Sequence, residues 1–118
     1  MPGILLVADD DDDIRHELVE ALTEEGYTVL QAKDGEEVLA LALTQRPDAI
    51  VLDHRMPGRT GAEVVKTLRD SGSSIPIILT TAGKDPQVLA LDLECFLRKP
   101  FGLEDLLVMV KRALDGGC

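Results

Sequence analysis

The stretch GILLVADDDDDIRHELVEALTEEGYTVLQA, residues 3–32, contains one complete strand–helix–strand unit. It opens with GILLVA (3–8), which is almost wholly apolar, as a strand covered on both faces would be. Beyond the aspartates the apolar period changes: Ile14, Leu18, Ala21 and Leu22 fall on one helical stripe, and Gly26 stands where that helix should stop. A second strand candidate, YTVLQA (27–32), follows at once. Strands joined by a helix in this way imply a right-handed crossover and parallel pairing.

The same alternation continues to the end of the chain. DAIVL (48–52), IPIILT (75–80) and CFLR (95–98) are three further strand candidates. Val64, Val65 and Leu68 form a second helical stripe, and Leu103, Leu106, Leu107, Val110 and Leu114 a third. Thr60 with Glu63 makes a capping box, Asp34 and the pair Asp85-Pro86 read as helix starts, and Gly72 as a helix stop. The order is therefore (βα)5, an α/β fold with a parallel sheet between two helical layers.

In such sheets, ligands bind beyond the carboxyl ends of the strands. Asp9 and Asp10 follow strand 1, Asp53 follows strand 3, Thr80 and Thr81 end strand 4, and Lys99 ends strand 5. If strands 1 and 3 are neighbours, about 4.8 Å apart, the three carboxylates converge on one small volume. Two carboxylates about 4 Å apart repel by about 4 kcal/mol at an effective dielectric of about 20, so a hard cation is the natural partner. Asp11, Asp12 and Asp13 need no such partner, because carboxylates in a first helical turn gain from the helix dipole.

Composition bounds what the chain can bind. At 118 residues, with 45% hydrophobic residues, it is expected to form a single domain over residues 1–118. Its 12 Lys and Arg against 22 Asp and Glu give a net charge of −10, which argues against nucleic acid and anionic membrane surfaces. No apolar run approaches the roughly 20 residues that span a bilayer, and the N-terminus lacks a signal-peptide pattern, so a soluble cytoplasmic protein is expected. Cys95 reads as core packing and Cys118 as an incidental terminal thiol, with no CxxC pair and no disulfide framework.

Three rival sites fail on their residues. Asp9, Asp11, Asp13 and Glu20 match positions of a calcium EF-hand loop, but Ile14 stands where that loop needs glycine, and a strand precedes it instead of a helix. No GxGxxG follows strand 1, which sets aside a dinucleotide site. A haloacid dehalogenase phosphatase would need an acid two residues after its nucleophile, where Arg55 stands.

Four segments together, LLVADDDDDIR, DAIVLDHRMPGRTG, PIILTTAG and FLRKPF, resemble the signature segments of the response-regulator receiver domain of two-component phosphorelays. The resemblance runs from Ile4 to about Leu114, with the motifs in the family's order. It implies a flavodoxin-like three-layer sandwich with sheet order 2-1-3-4-5. It further implies that Asp53 accepts a phosphoryl group from a histidine kinase or phosphotransfer protein. Asp9, Asp10, Asp53 and the Arg55 backbone carbonyl would hold Mg²⁺, or Mn²⁺ in its place. Thr81 and Lys99 would contact the phosphoryl oxygens, Phe96 would act as the aromatic switch, and Lys99-Pro100 would be a cis peptide. On this reading the chain is a signalling module that assists only its own phosphorylation and dephosphorylation, as a monomer or weak dimer.

His54 is expected to be an ordinary exposed or semi-buried loop histidine, pointing away from Asp53 by strand alternation, and His16 to lie on the surface of the first helix. The clearest departure from the family lies in AGKDPQVLALDLEC (82–95), several residues short of the usual length, so the fourth helix is expected to be truncated. That departure sustains a second reading, a receiver-like interaction module that works without phosphorylation.

Overall fold

The apolar runs form strands because their β-branched and leucine side chains find a helix on each face of the sheet. The computed structural model describes residues 3–83, 85–91, 93 and 95–117. Over these, β1 (Ile4–Ala8), β2 (Thr28–Ala32), β3 (Ala49–Asp53), β4 (Ile77–Thr81) and β5 (Phe96–Arg98) alternate with α1 (Asp12–Glu24), α2 (Gly35–Gln45), α3 (Gly61–Asp70), α4 (Pro86–Leu89) and α5 (Leu103–Leu114). The strands pair in parallel in the order β2-β1-β3-β4-β5, the flavodoxin-like order expected. The strands begin one or two residues later than expected, and β3 and β4 each run one residue further, to Asp53 and Thr81, so that Asp53 ends its strand instead of following it.

Alternation along the strands divides the core in two. Leu6, Ile50, Leu52, Ile77 and Leu79 pack against Val38 and Ala42 of α2, Val64, Val65 and Leu68 of α3, and Val88 of α4. Leu5, Val7, Val51 and Ile78 face the other way, onto Leu18 and Leu22 of α1 and Leu106, Val110 and Ala113 of α5. Cys95 is fully buried in this second layer and, contrary to the expectation of a plain core thiol, is not a free cysteine. Cys118 lies outside the described residues.

The helix ends follow the side chains placed there. Asp11 caps α1 by accepting from the amides of Asp13 and Ile14, and Asp34 caps α2 through Glu37 N. Thr60 and Glu63 form the reciprocal capping box of α3, and Asp85 caps α4 with Pro86 in its first turn. Gly26 and Gly72 take φ of 96° and 89° after α1 and α3, conformations that glycine adopts without strain.

Two features position the functional rim. Gly61 lets α3 start directly against the end of β3: a Cβ there would stand 2.7 Å from the Asp53 carbonyl oxygen and 2.8 Å from the His54 Cα. The truncation of α4 is real, since that helix has 4 residues. Between it and α3 runs an open groove of about 700 Å³ lined by Val65, Arg69, Gln87 and Leu91.

Candidate functional site

Register decides where the charged side chains meet. Ala8 pairs with Leu52, so Asp9 follows level with Asp53 at the end of the neighbouring strand. Asp53 pairs with Thr80, and Thr81 with Arg98, which sets Lys99 just past the same edge. Asp9 and Asp53 are 1% and 5% exposed, whereas Asp10 is exposed. One oxygen from each of the three carboxylates lies within 4.8 Å of the others. Lys99 Nζ stands 3.2 Å from Asp9 Oδ2 and 3.2 Å from Asp53 Oδ1, and its peptide bond to Pro100 is cis.

One ammonium does not balance this cluster. Burial pushes the Asp53 carboxyl up to about 6 and the Asp9 charge adds to the rise, while Lys99 and the Arg55 backbone amide offset only part of it. Burial works against the Lys99 charge as well, but Asp53 and Asp9 together outweigh it and raise that group above its ordinary value. The donors are all carboxylate oxygens and positive charge is short, conditions that fit a hard divalent cation.

A second set of groups holds the acidic loop in place. Arg15, 4% exposed, donates from Nη1 to the Asp9 carbonyl at 2.9 Å, from Nε to Gln31 Oε1 at 3.1 Å and from Nη2 to Asp12 Oδ1 at 2.6 Å. Asp9 Oδ1 accepts from Asp11 N at 3.0 Å. The aspartate run thus divides: Asp9 and Asp10 face the cluster, Asp11 caps α1, and Asp12 pairs with Arg15. Sequence reading passed over Arg15, although its spacing to Leu18 and Leu22 places it on the buried stripe of α1.

The remaining residues are placed less directly. Thr81 does not turn into the cluster: its hydroxyl donates to Gly83 O at 3.2 Å and accepts from Gly83 N at 3.4 Å. Thr80 is buried opposite Asp53. Phe96 is half-buried and shares a cavity of about 220 Å³ with Thr81, Gly83, Val88 and Leu89. His16 is exposed, as expected.

His54 requires a correction. It is 2% exposed, not a solvent-facing or semi-buried loop histidine. It continues the Ile50 and Leu52 side of the strand, away from Asp53, into a site made by two helix starts. Nδ1 accepts from Ala62 N at 3.2 Å, and Nε2 lies 3.1 Å from Asp85 Oδ2. Strand alternation gives the direction of the ring; what covers it comes from loops far along the chain.

Known proteins match this arrangement. A family model described as the response regulator receiver domain matches residues 5–111. The response regulator MprA of Mycolicibacterium vanbaalenii is 42% identical over 118 residues, covering 97% of this chain and 51% of that protein. The chain therefore spans about half the length of the curated relatives it matches. Among solved structures, the Francisella response regulator 1452 receiver domain superposes with a TM-score of 0.89 at 30% identity, covering 98% of this chain and 99% of that one. Chemotaxis response regulator CheY4 of Vibrio cholerae superposes with a TM-score of 0.87 at 35% identity, covering 97% and 100%. With the family model reaching from β1 into α5 and taking in the rim between them, the chain belongs to the response regulator receiver domain family.

Proposed function

We propose that this chain, as one receiver domain over residues 1–118, accepts a phosphoryl group on Asp53 from a phosphohistidine of a sensor histidine kinase or phosphotransfer protein. Receiver domains serve phosphorelay signalling as modules, not as enzymes in the usual sense. In the proposed step an Asp53 carboxylate oxygen attacks phosphorus and the phosphorus–nitrogen bond to the donor histidine breaks. The imidazole leaves with that electron pair and takes a proton from solvent. With its carboxyl pushed up to about 6, Asp53 is mostly ionised, and so nucleophilic, at neutral pH.

Asp9, Asp10, Asp53 and the Arg55 backbone carbonyl would hold Mg²⁺, or Mn²⁺ in its place, which when bound neutralises charge on the transferring phosphoryl oxygens. Lys99, which bridges Asp9 and Asp53, would pair with another phosphoryl oxygen. The Thr81 hydroxyl exchanges its weak loop bonds for a phosphoryl oxygen, and Phe96 moves within the cavity the two residues share. The state with these contacts becomes favoured by the difference in contact energy alone, and a partner reads the altered surface.

The observation that carries this reading is the placement of Lys99 Nζ 3.2 Å from both Asp9 and Asp53 at the edge where all three carboxylates meet. Incubation with a small-molecule phosphodonor and Mg²⁺, followed by intact-mass measurement, tests it. Wild type should gain one phosphoryl group and Asp53→Asn none; uptake persisting in the variant removes the assignment. Among the described residues no helix is long and apolar enough to cross a membrane, and the reading places the chain in the cytoplasm, as a monomer or weak dimer that binds no nucleic acid itself. The 4-residue α4 and the groove beside it favour one alternative, an interaction module that binds its partner without phosphorylation. On that alternative, partner affinity is unchanged by Asp53→Asn.

A further inference from the structure

We propose that His54 is a positioning residue that latches the N-terminus of α4 to the end of β3, so that the state of Asp53 reaches α4 through the His54 imidazole as well as through Thr81. The inference rests on the phosphoacceptor reading of Asp53. Its geometry is continuous. The His54 backbone amide donates to Thr80 O at 3.0 Å, and its carbonyl accepts from Gly61 N at 2.7 Å, so the residue moves with β3, β4 and the start of α3. Its Nδ1 accepts from Ala62 N, which leaves the ring proton on Nε2, facing Asp85 Oδ2 at 3.1 Å. The other Asp85 oxygen accepts from Gln87 N at 2.9 Å and caps α4.

A helix of 4 residues has no stability of its own. Val88 supplies its one buried side chain, 4% exposed, whereas Leu89 is 70% exposed. The Asp85 carboxylate therefore does two jobs at once, with Oδ1 holding the helix cap and Oδ2 holding the helix to His54. With α4 this short, the latch ties that element directly to the end of the phosphoacceptor strand.

Asp85→Asn separates the two jobs, because the amide oxygen that keeps the Gln87 N bond leaves an NH2 group, itself a donor, facing His54 Nε2–H where the second carboxylate oxygen stood. The variant keeps a good capping residue at a part-exposed position and should fold. In the chain without ligands, amide exchange at Leu89 and Ala90 should accelerate about tenfold in Asp85→Asn, the effect of losing one charge-assisted hydrogen bond, while α3 and α5 keep their rates. Nitrogen-15 spectra should show His54 protonated at Nε2 alone in wild type. With Mg²⁺ and beryllofluoride, a phosphoryl mimic, both proteins should bind equally and show equal shifts around β3. The shifts at Val88 and Leu89 should fall to less than half of wild type in Asp85→Asn. Unchanged α4 exchange, or undiminished α4 shifts, overturns the latch. If beryllofluoride leaves β3 unperturbed in wild type, the phosphoacceptor reading fails instead, and the exchange rates still decide whether His54 holds α4. His54→Phe, which keeps the volume and removes both bonds, should reproduce the accelerated exchange.

Discussion

The acidic rim and the α4 end sit at the same edge of the sheet and are held in opposite ways. Asp9 and Asp53 stand at the ends of neighbouring strands whose pairing register leaves little freedom, and Arg15 clamps the loop carrying Asp9 from behind. α4 has 4 residues, one buried side chain and a capping carboxylate shared with His54. Backbone pairing thus secures the region read as chemical, while a few side chains secure the region that would report on it. A charge change at the rim can leave the sheet intact and still move α4, because the cost of moving α4 is small.

The sharpest way to break this contrast is to ask whether the rim carries strain that the sheet tolerates. Asp53 rises from 3.8 in the unfolded chain to about 6 in the fold, so the folded state binds the proton more tightly and stability falls as pH rises from 3.8 through about 6. The shift is worth about 3 kcal/mol. Without divalent ions, Asp53→Asn should therefore gain stability over wild type by up to that amount between pH 4 and pH 7.5, measured by urea denaturation. Added Mg²⁺ should shrink the difference. An equal urea midpoint for the two proteins at both pH values would show that the cluster is not short of positive charge.

A smaller effect is expected at Gly61, where α3 meets β3. Gly61→Ala drives a methyl group against the backbone of Asp53 and His54, and should cost about 2 kcal/mol, seen as a lower melting temperature. An unchanged melting temperature would mean that the junction gives way more easily than its contacts imply. Smaller again is the loss expected from the clamp behind Asp9. Arg15→Met keeps the buried stem but frees the Asp9 carbonyl, and should weaken Mg²⁺ binding about tenfold in a fluorescence or NMR titration. Unaltered affinity would reduce Arg15 to a packing residue.

Periodicity was enough to find the sheet. Continuous apolar runs marked strands covered on both faces, and Thr60 with Glu63, Asp34 and Asp85-Pro86 marked helix starts that the structure uses as such. The convergence of Asp9, Asp10, Asp53 and Lys99 was legible because each ends or follows a strand, and strand ends share an edge. Arg15 was missed because an arginine on an apolar stripe makes sense only once Gln31 and the Asp9 carbonyl are known to face it. His54 was misread for the same reason. Its direction follows from alternation, but its burial depends on Asp85 and Ala62 closing over it. Local pattern places a side chain on a face; long-range contact decides its surroundings.

The proposed function requires that the buried carboxylate cluster at the rim take up a divalent cation. Carbon-13 NMR titration of the Asp53 carboxyl, with and without Mg²⁺, measures this directly. Without the ion the group should titrate near 6, and saturating Mg²⁺ should carry it below the ordinary carboxylate range. A midpoint near 3.8 without the ion, or one that Mg²⁺ does not move, would contradict the account.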